Sequence, residues 1–269
     1  MVMNELSDGQ KTYLKQQNKH RWIVRVSRIA ILLIFLLLWE VLATTGLIDS
    51  FIFSSPSKVI RCFLNMILNG FIFVHLWTTF YETIVSFFLV TLISVCIAVL
   101  LWYSKKVSEI LDPYFVVLNS LPKSALAPLL IVWLGANKTT IIVAGMSVAI
   151  FGSILSLYTT FESVDQGKLW LIYTLHGSKK QALTKVVLPS SIPAIISNMK
   201  VNIGLCLVGV IIGEFLAARS GIGYLIIYSS QVFKMDWLLM SICILCVFSM
   251  LLYTLINAVE NWYQNRLKR

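Results

Sequence analysis

The sequence predicts an all-α membrane protein of about six spanning helices, and three observations carry that prediction. Hydrophobic residues make up 58% of the 269 residues and charged residues only 13%, about half of what soluble domains average. The apolar residues are gathered into windows of roughly 20 or more, the length a spanning helix needs. The net charge of +10 is distributed unevenly between alternate connecting segments. In a soluble chain such a charge would suggest nucleic acid; in this one it reports orientation, because cytoplasmic loops collect Lys and Arg. The expected partner is a lipid bilayer and no nucleic acid.

Residues 1–28 are polar and basic and read as an N-terminal tail. The first span is expected at 29–48. A cleaved signal peptide is the competing reading, since "VLATTG" ends in small residues, but the long run and long basic leader favour an uncleaved span. Residues 49–76 form an outer loop with a short interfacial helix: Val59, Ile60, Phe63, Leu64, Ile67 and Leu68 recur at helical spacing, with Ser57 as the expected N-cap. Residues 77–260 hold the remaining spans at 77–103, 112–134, 139–161, 191–217 and 236–260, and 261–269 form a C-terminal tail. The third span carries Pro113, Pro122 and Pro128, so it should be bent and packed among other helices that satisfy its freed carbonyls.

Six spans put both termini on one side. On that side lie fifteen basic residues: Lys11, Lys15, Lys19, Arg21, Arg25, Arg28, Lys105, Lys106, Lys168, Lys179, Lys180, Lys185, Arg266, Lys268 and Arg269. The other side has five, Lys58, Arg61, Lys138, Arg219 and Lys234. The asymmetry puts both termini in the cytoplasm, and with them the polar loop 162–190.

That loop reads as two short helices. "SVDQ" fits a capping box on Ser163, and "SKKQ" a second one on Ser178 with Gln181 reaching back. Leu169, Ile172 and Leu175 give the first helix an apolar face, and Ala182, Leu183, Val186 and Val187 the second. Gly177 suits the left-handed turn that ends a helix. Pro189 and Pro193 are expected to separate the second helix from the next span and start that span. A solvated loop would explain the lysines but not the apolar faces; a docking surface for a soluble partner explains both.

These residues carry a family resemblance. The order "VD…L…TLHGSKKQALTKVVLPSSIPAII", then "VGVIIGEFLAARSGIGYLI", together with "SSPSKV" and "LPKSALAPLLIVWLG", resembles the permease subunits of bacterial ATP-binding-cassette importers, in particular the branch serving nitrate, taurine and aliphatic sulfonates. It covers roughly residues 50–265. It implies the type I importer permease fold in a bacterial cell membrane, with cytoplasmic ATPase subunits, an extracytoplasmic solute-binding protein and a second permease copy as partners. It also implies that the loop is the coupling helix, and that a small, anionic solute crosses the subunit. Asp165, Ser178, Gln181, Leu188 and Pro189 match the family's loop. Trp170, Leu171 and Ile172 stand where the family writes Glu-Ala-Ala, and His176 stands where its glycine belongs. Docking is therefore expected to lean on Trp170, Leu171 and Leu175, with Lys179 alongside, more than on ion pairs.

Catalytic equipment is not expected. No G-x-x-x-x-G-K-[ST] loop is present to cradle phosphates, and "GIGYLI" lacks the third glycine of a dinucleotide loop. No cofactor or metal is expected, and the Cys243–Cys246 C-x-x-C pair reads as two small apolar residues in a span. A self-sufficient secondary transporter is the alternative class; it would need an inverted repeat with coupling carboxylates in broken helices, and neither is found. Ionisable residues in spans are functional candidates by default, so Lys123, Lys200 and Glu214 are the candidate translocation-path residues. Against that reading, they could snorkel, pair, or bind backbone carbonyls. Glu40 is expected at the membrane interface, and His75 and His176 as interfacial and loop residues. Gly209, Gly213 and Ala217 form a small-residue stripe that could face another helix of the chain or a second copy.

Overall fold

The computed structural model describes residues 8–267, and their regular structure is entirely helical. Lys268 and Arg269 of the charge count lie outside the described residues. The helices are α1 (Asp8–Thr44), α2 (Pro56–Leu68), α3 (Phe71–Tyr103), α4 (Lys105–Ser120), α5 (Lys123–Leu134), α6 (Lys138–Glu162), α7 (Gln166–Thr174), α8 (Lys179–Ala182), α9 (Leu188–Ala217), α10 (Ile222–Gln231) and α11 (Met235–Leu267). Five stretches are long and apolar enough to cross a membrane, and the α4–α5 pair makes a sixth if counted as one span.

The described residues up to 63 and those from 64 onward form two compact units. In the first, α1 runs unbroken from Asp8, so the helix extends well into the expected tail and stops before residue 48. No Pro or Gly interrupts the basic segment, and Gly46 at φ 76° turns the chain just after Thr44. The loop beyond is pinned back to α1. Ser57 donates its backbone N–H (2.9 Å) and its hydroxyl (2.7 Å) to the Glu40 carboxylate, and Trp39 Nε1 donates to the Phe53 carbonyl at 3.2 Å. Glu40 is thus tied to this loop. The cap of α2 is Ser55 rather than Ser57: its carbonyl accepts from Val59 N–H at 3.0 Å and its hydroxyl from Lys58 N–H at 3.4 Å. Pro56 then occupies the first helical position, where a missing N–H costs nothing.

The second unit is built on α3, α6 and α9. Phe87, Val90, Ala149, Ile203, Cys206 and Leu207 form its main apolar core. The Gly209–Gly213 stripe faces α6: a Cβ at Gly209 would sit 2.7 Å from the Ala144 carbonyl oxygen and 2.8 Å from Gly145 Cα. That backbone approach, which only small residues permit, makes the stripe an internal packing face.

The third expected span is sharply broken. α4 and α5 meet at 97°, with Leu121 and Pro122 in extended backbone between them. Pro122 disfavours helical geometry in the residue before it, which sets the break there, while Pro113 and Pro128 are absorbed inside the helices. The packing of this span within the chain is one-sided: Ser108 and Ala127 are buried, while Tyr114, Val117, Val132 and Trp133 are exposed in the single chain.

Candidate functional site

The loop between α6 and α9 folds as two helical pieces whose inner sides are buried. Leu169 of α7, Ala182 of α8, and Leu183 and Val187 beyond it join Ala98, Leu157 and Phe161 in one cluster, with Ile172, Val186 and Leu188 packed against it. The second helix therefore spends its apolar face within the chain. What remains outside is the other side of α7. Trp170 is 67% exposed, Leu171 60% and Leu175 72%, and Tyr173 is exposed beside them. Ile172 points inward and packs against the cluster, while Tyr173, which sequence reasoning did not name, stands exposed beside Trp170, Leu171 and Leu175. Tyr173 lies three residues beyond Trp170, so the i, i+3 spacing was a readable signal.

Two loop expectations are corrected. Ser163 does not cap α7: it closes α6, donating its hydroxyl to the Thr160 carbonyl at 2.8 Å. Asp165 is the cap, accepting from Gly167 N–H at 2.8 Å. Nor does Gly177 make the left-handed turn. His176 does, at φ 56°, in the position where the resemblance expected glycine. Gly177 is needed for space: a Cβ there would meet Ile172 Cγ2 at 2.5 Å and the Ile172 carbonyl oxygen at 2.7 Å, which itself accepts the Gly177 N–H at 2.8 Å. The second capping box is present as expected. Gln181 N–H donates to Ser178 Oγ at 3.3 Å, and Ser178 N–H to Gln181 Oε1 at 2.7 Å.

Lys179 lies 5.5 Å from the ring centres of both Trp102 and Tyr103 on α3, so its charge is used inside the chain. Leu188 and Pro189 follow a π-helical turn, Leu183–Val187, in which Leu188 N–H bonds to the Leu183 carbonyl. Helix runs from Lys179 through Ala217 without a break, so Pro189 starts α9 but does not separate it from the loop. The wider turn accommodates the chain where proline cannot donate.

The three path candidates are scattered, and each has partners. Lys123 donates to the Leu118 carbonyl and, at 3.0 Å, to that of Asn119, closing the C-terminal end of α4. Lys200 on α9 forms an ion pair with Glu260 of α11 and donates to Asn257 Oδ1 at 2.8 Å. Glu214 is wholly buried. Its Oε1 accepts from Thr79 Oγ1 at 2.6 Å and its Oε2 from Gly223 N–H at 2.6 Å. Its carboxylate ties α9 to α3 and α10, so in this structure the candidate path residue is a packed link between helices. His75 is also buried rather than interfacial, its Nδ1 accepting from Gly221 N–H at 3.0 Å.

Sequence reasoning also missed Glu82, buried on α3; its helical register with His75, Thr79 and Ser86 is the signal that could have found it. A further polar group joins α6 to α9, where Asn202 Nδ2 donates to Ser153 Oγ (2.9 Å) and Asn198 Oδ1 (2.7 Å). Among the described residues no cluster of three or more His, Cys, Asp or Glu could hold a metal.

With the geometry in place, comparisons with known proteins give a consistent picture. Residues 91–269 match the family described as the binding-protein-dependent transport system inner membrane component. A probable ABC transporter permease protein of Haemophilus influenzae is 29% identical over 82% of this chain and 89% of its own length. The putative aliphatic sulfonates transport permease protein SsuC of Bacillus subtilis is 25% identical, covering 84% of this chain and 82% of that protein. Among solved structures, the MetNI methionine ABC transporter in an inward-facing conformation is similar with a TM-score of 0.61 and 15% identity, over 74% of this chain and 99% of that one. That last likeness concerns the fold.

Proposed function

We propose a solute class, a docking surface and an orientation for this chain, which belongs to the family of binding-protein-dependent transport system inner membrane components. It is a permease subunit of an ABC transporter, a multi-pass membrane protein that transports and does not catalyse. Permeases of this family work with ATPase and solute-binding partners. The finer reading is that Trp170, Leu171, Tyr173 and Leu175 dock on a cytoplasmic ATPase subunit. One observation carries it: three large apolar side chains, each at least 60% exposed, sit on a helix whose opposite side is locked into the core. Burying one such side chain contributes about 1.5–3 kcal/mol, against about 0–1 kcal/mol for an exposed ion pair.

The chain would act in a bacterial plasma membrane, with both termini and this loop in the cytoplasm, paired with a second permease copy. The solute we propose is a small organic anion of the sulfonate type. The likeness to an aliphatic sulfonate permease supports this; Lys123 and Lys200 do not add to it, because both are already partnered.

The test is co-purification with the ATPase, and ATP hydrolysis by the complex reconstituted with its solute-binding protein. Trp170→Ala should lose the ATPase at both low and high salt, since screening acts little on apolar burial, while Lys180→Ala keeps it. Retention by Trp170→Ala with loss by Lys180→Ala would reject the apolar surface. No stimulation of hydrolysis by any short aliphatic sulfonate would reject the solute class.

A further inference from the structure

The buried polar groups of α3 that its neighbours leave unserved are Glu82, Thr83 and Thr91, and Glu82 is the one among them that ionises. His75, Thr79, Glu82 and Ser86 lie along one face of α3 at helical spacing, all buried. Thr79 Oγ1 accepts from Ile222 N–H at 2.8 Å while donating to Glu214, and Ser86 Oγ donates to the backbone carbonyl of Glu82 at 2.7 Å. The Glu82 side chain itself is 0% exposed, and neither of its carboxyl oxygens has a hydrogen-bond donor. Glu82 lies one helical turn from Thr79 on the same buried face of α3, and Thr79 donates to the Glu214 carboxylate at 2.6 Å, so the side chain it faces is that of Glu214 on α9.

The two acids are not equivalent. Both Glu214 oxygens have donors, Thr79 Oγ1 and Gly223 N–H. The backbone is shaped to it: a Cβ on Gly221 would collide with the Glu214 carboxyl, and one on Gly223 would come within 2.8 Å of it. The other titratable groups around the pair are His75 on α3 and Lys138 at the start of α6, and the backbone of Tyr224 on α10 also faces Glu214. His75 Nδ1 is engaged with Gly221. Lys138 is exposed, and it does not hydrogen-bond to Glu82.

Two ionised carboxylates in one buried site repel, and a buried charge without donors is costly. One proton removes both difficulties: it neutralises Glu82 and supplies an O–H that donates to Glu214, a charge-assisted bond. We propose that Glu82 and Glu214 form a proton-binding site in which Glu82 is the neutral acid and Glu214 the carboxylate. A single bound proton then joins α3 to α9 and to the first turn of α10. The pair carries one negative charge in total, met by Thr79 and Gly223.

The test uses the full-length chain purified in detergent. Infrared difference spectra at neutral pH, wild type minus Glu82→Gln, should show one carboxylic-acid carbonyl band that moves to lower frequency in D2O. Glu82→Gln should keep the wild-type yield of folded chain, because the amide N–H replaces the O–H donor. Glu214→Gln should reduce that yield about tenfold, because its amide N–H groups would face donors where the carboxylate accepts. Absence of the acid band from the wild type overturns the proposal. So does a Glu82→Gln chain as impaired as Glu214→Gln, or a Glu214→Gln chain that folds like the wild type.

Discussion

His176 and Gly177 share one turn and meet different demands in it. His176 takes the left-handed conformation at φ 56°, which costs an L residue about 1–2 kcal/mol. Gly177 needs no unusual φ, but has no room for a Cβ beside Ile172. The residue-scale prediction follows from that division. His176→Gly should leave coupling intact and raise the stability of the chain by about 0.5–1 kcal/mol, the relieved strain less the added backbone entropy. Gly177→Ala should displace Ile172 from the cluster it packs against and uncouple solute-stimulated ATP hydrolysis. Thermal denaturation and ATPase assays of the two variants check this. A destabilised His176→Gly would mean that the imidazole, rather than the backbone, holds the turn.

At the scale of elements, prolines at similar density give opposite outcomes. Around Pro122 the helix breaks and turns by 97°; at Pro189 and Pro193 it continues. What differs is the preceding turn. Before Pro189 a π-helical turn shifts the hydrogen bonding by one residue, whereas Leu121 is extended. The break leaves the last carbonyls of α4 without helix partners, and Lys123 reaches back to two of them. Lys123→Met should therefore cost about 1–2 kcal/mol and lower the melting temperature, while Lys123→Arg, which can still donate, retains most of it. If Lys123→Met melts like the wild type but transports poorly, the lysine acts on the solute and not on the helix end.

For the whole molecule, the outer surface is the informative feature. Large apolar side chains from Ile29 to Val259 stand exposed, far beyond what a water-soluble monomer tolerates. A bilayer covers such a surface, and the fifteen-to-five basic asymmetry supports the orientation proposed above, with the 162–190 loop in the cytoplasm. Single cysteines at Lys105 and Lys185, both exposed, should react with a membrane-impermeant maleimide only in inverted vesicles. One at Arg219, also exposed, should react only in intact cells. Labelling at Lys185 from outside would reverse the arrangement.

Apolar run length is a property of the chain read in order, and it suffices for the helical class and for the number of candidate spans, five or six among the described residues. The Ser178 capping box was legible for the same reason, since its donor and acceptor lie three residues apart. Ser163 failed because Asp165, nearer to the helix start, competes for the same N–H groups. The rest depends on residues distant in sequence. Lys200 could not be assigned without Glu260 on α11, nor the glycine stripe without Ala144 and Gly145 on α6. Glu82 and Glu214, far apart in the chain, became a pair only when α3, α9 and the start of α10 closed around them. A local pattern states which groups need a partner or a space; only packing decides which partner arrives and which group is left to find a proton.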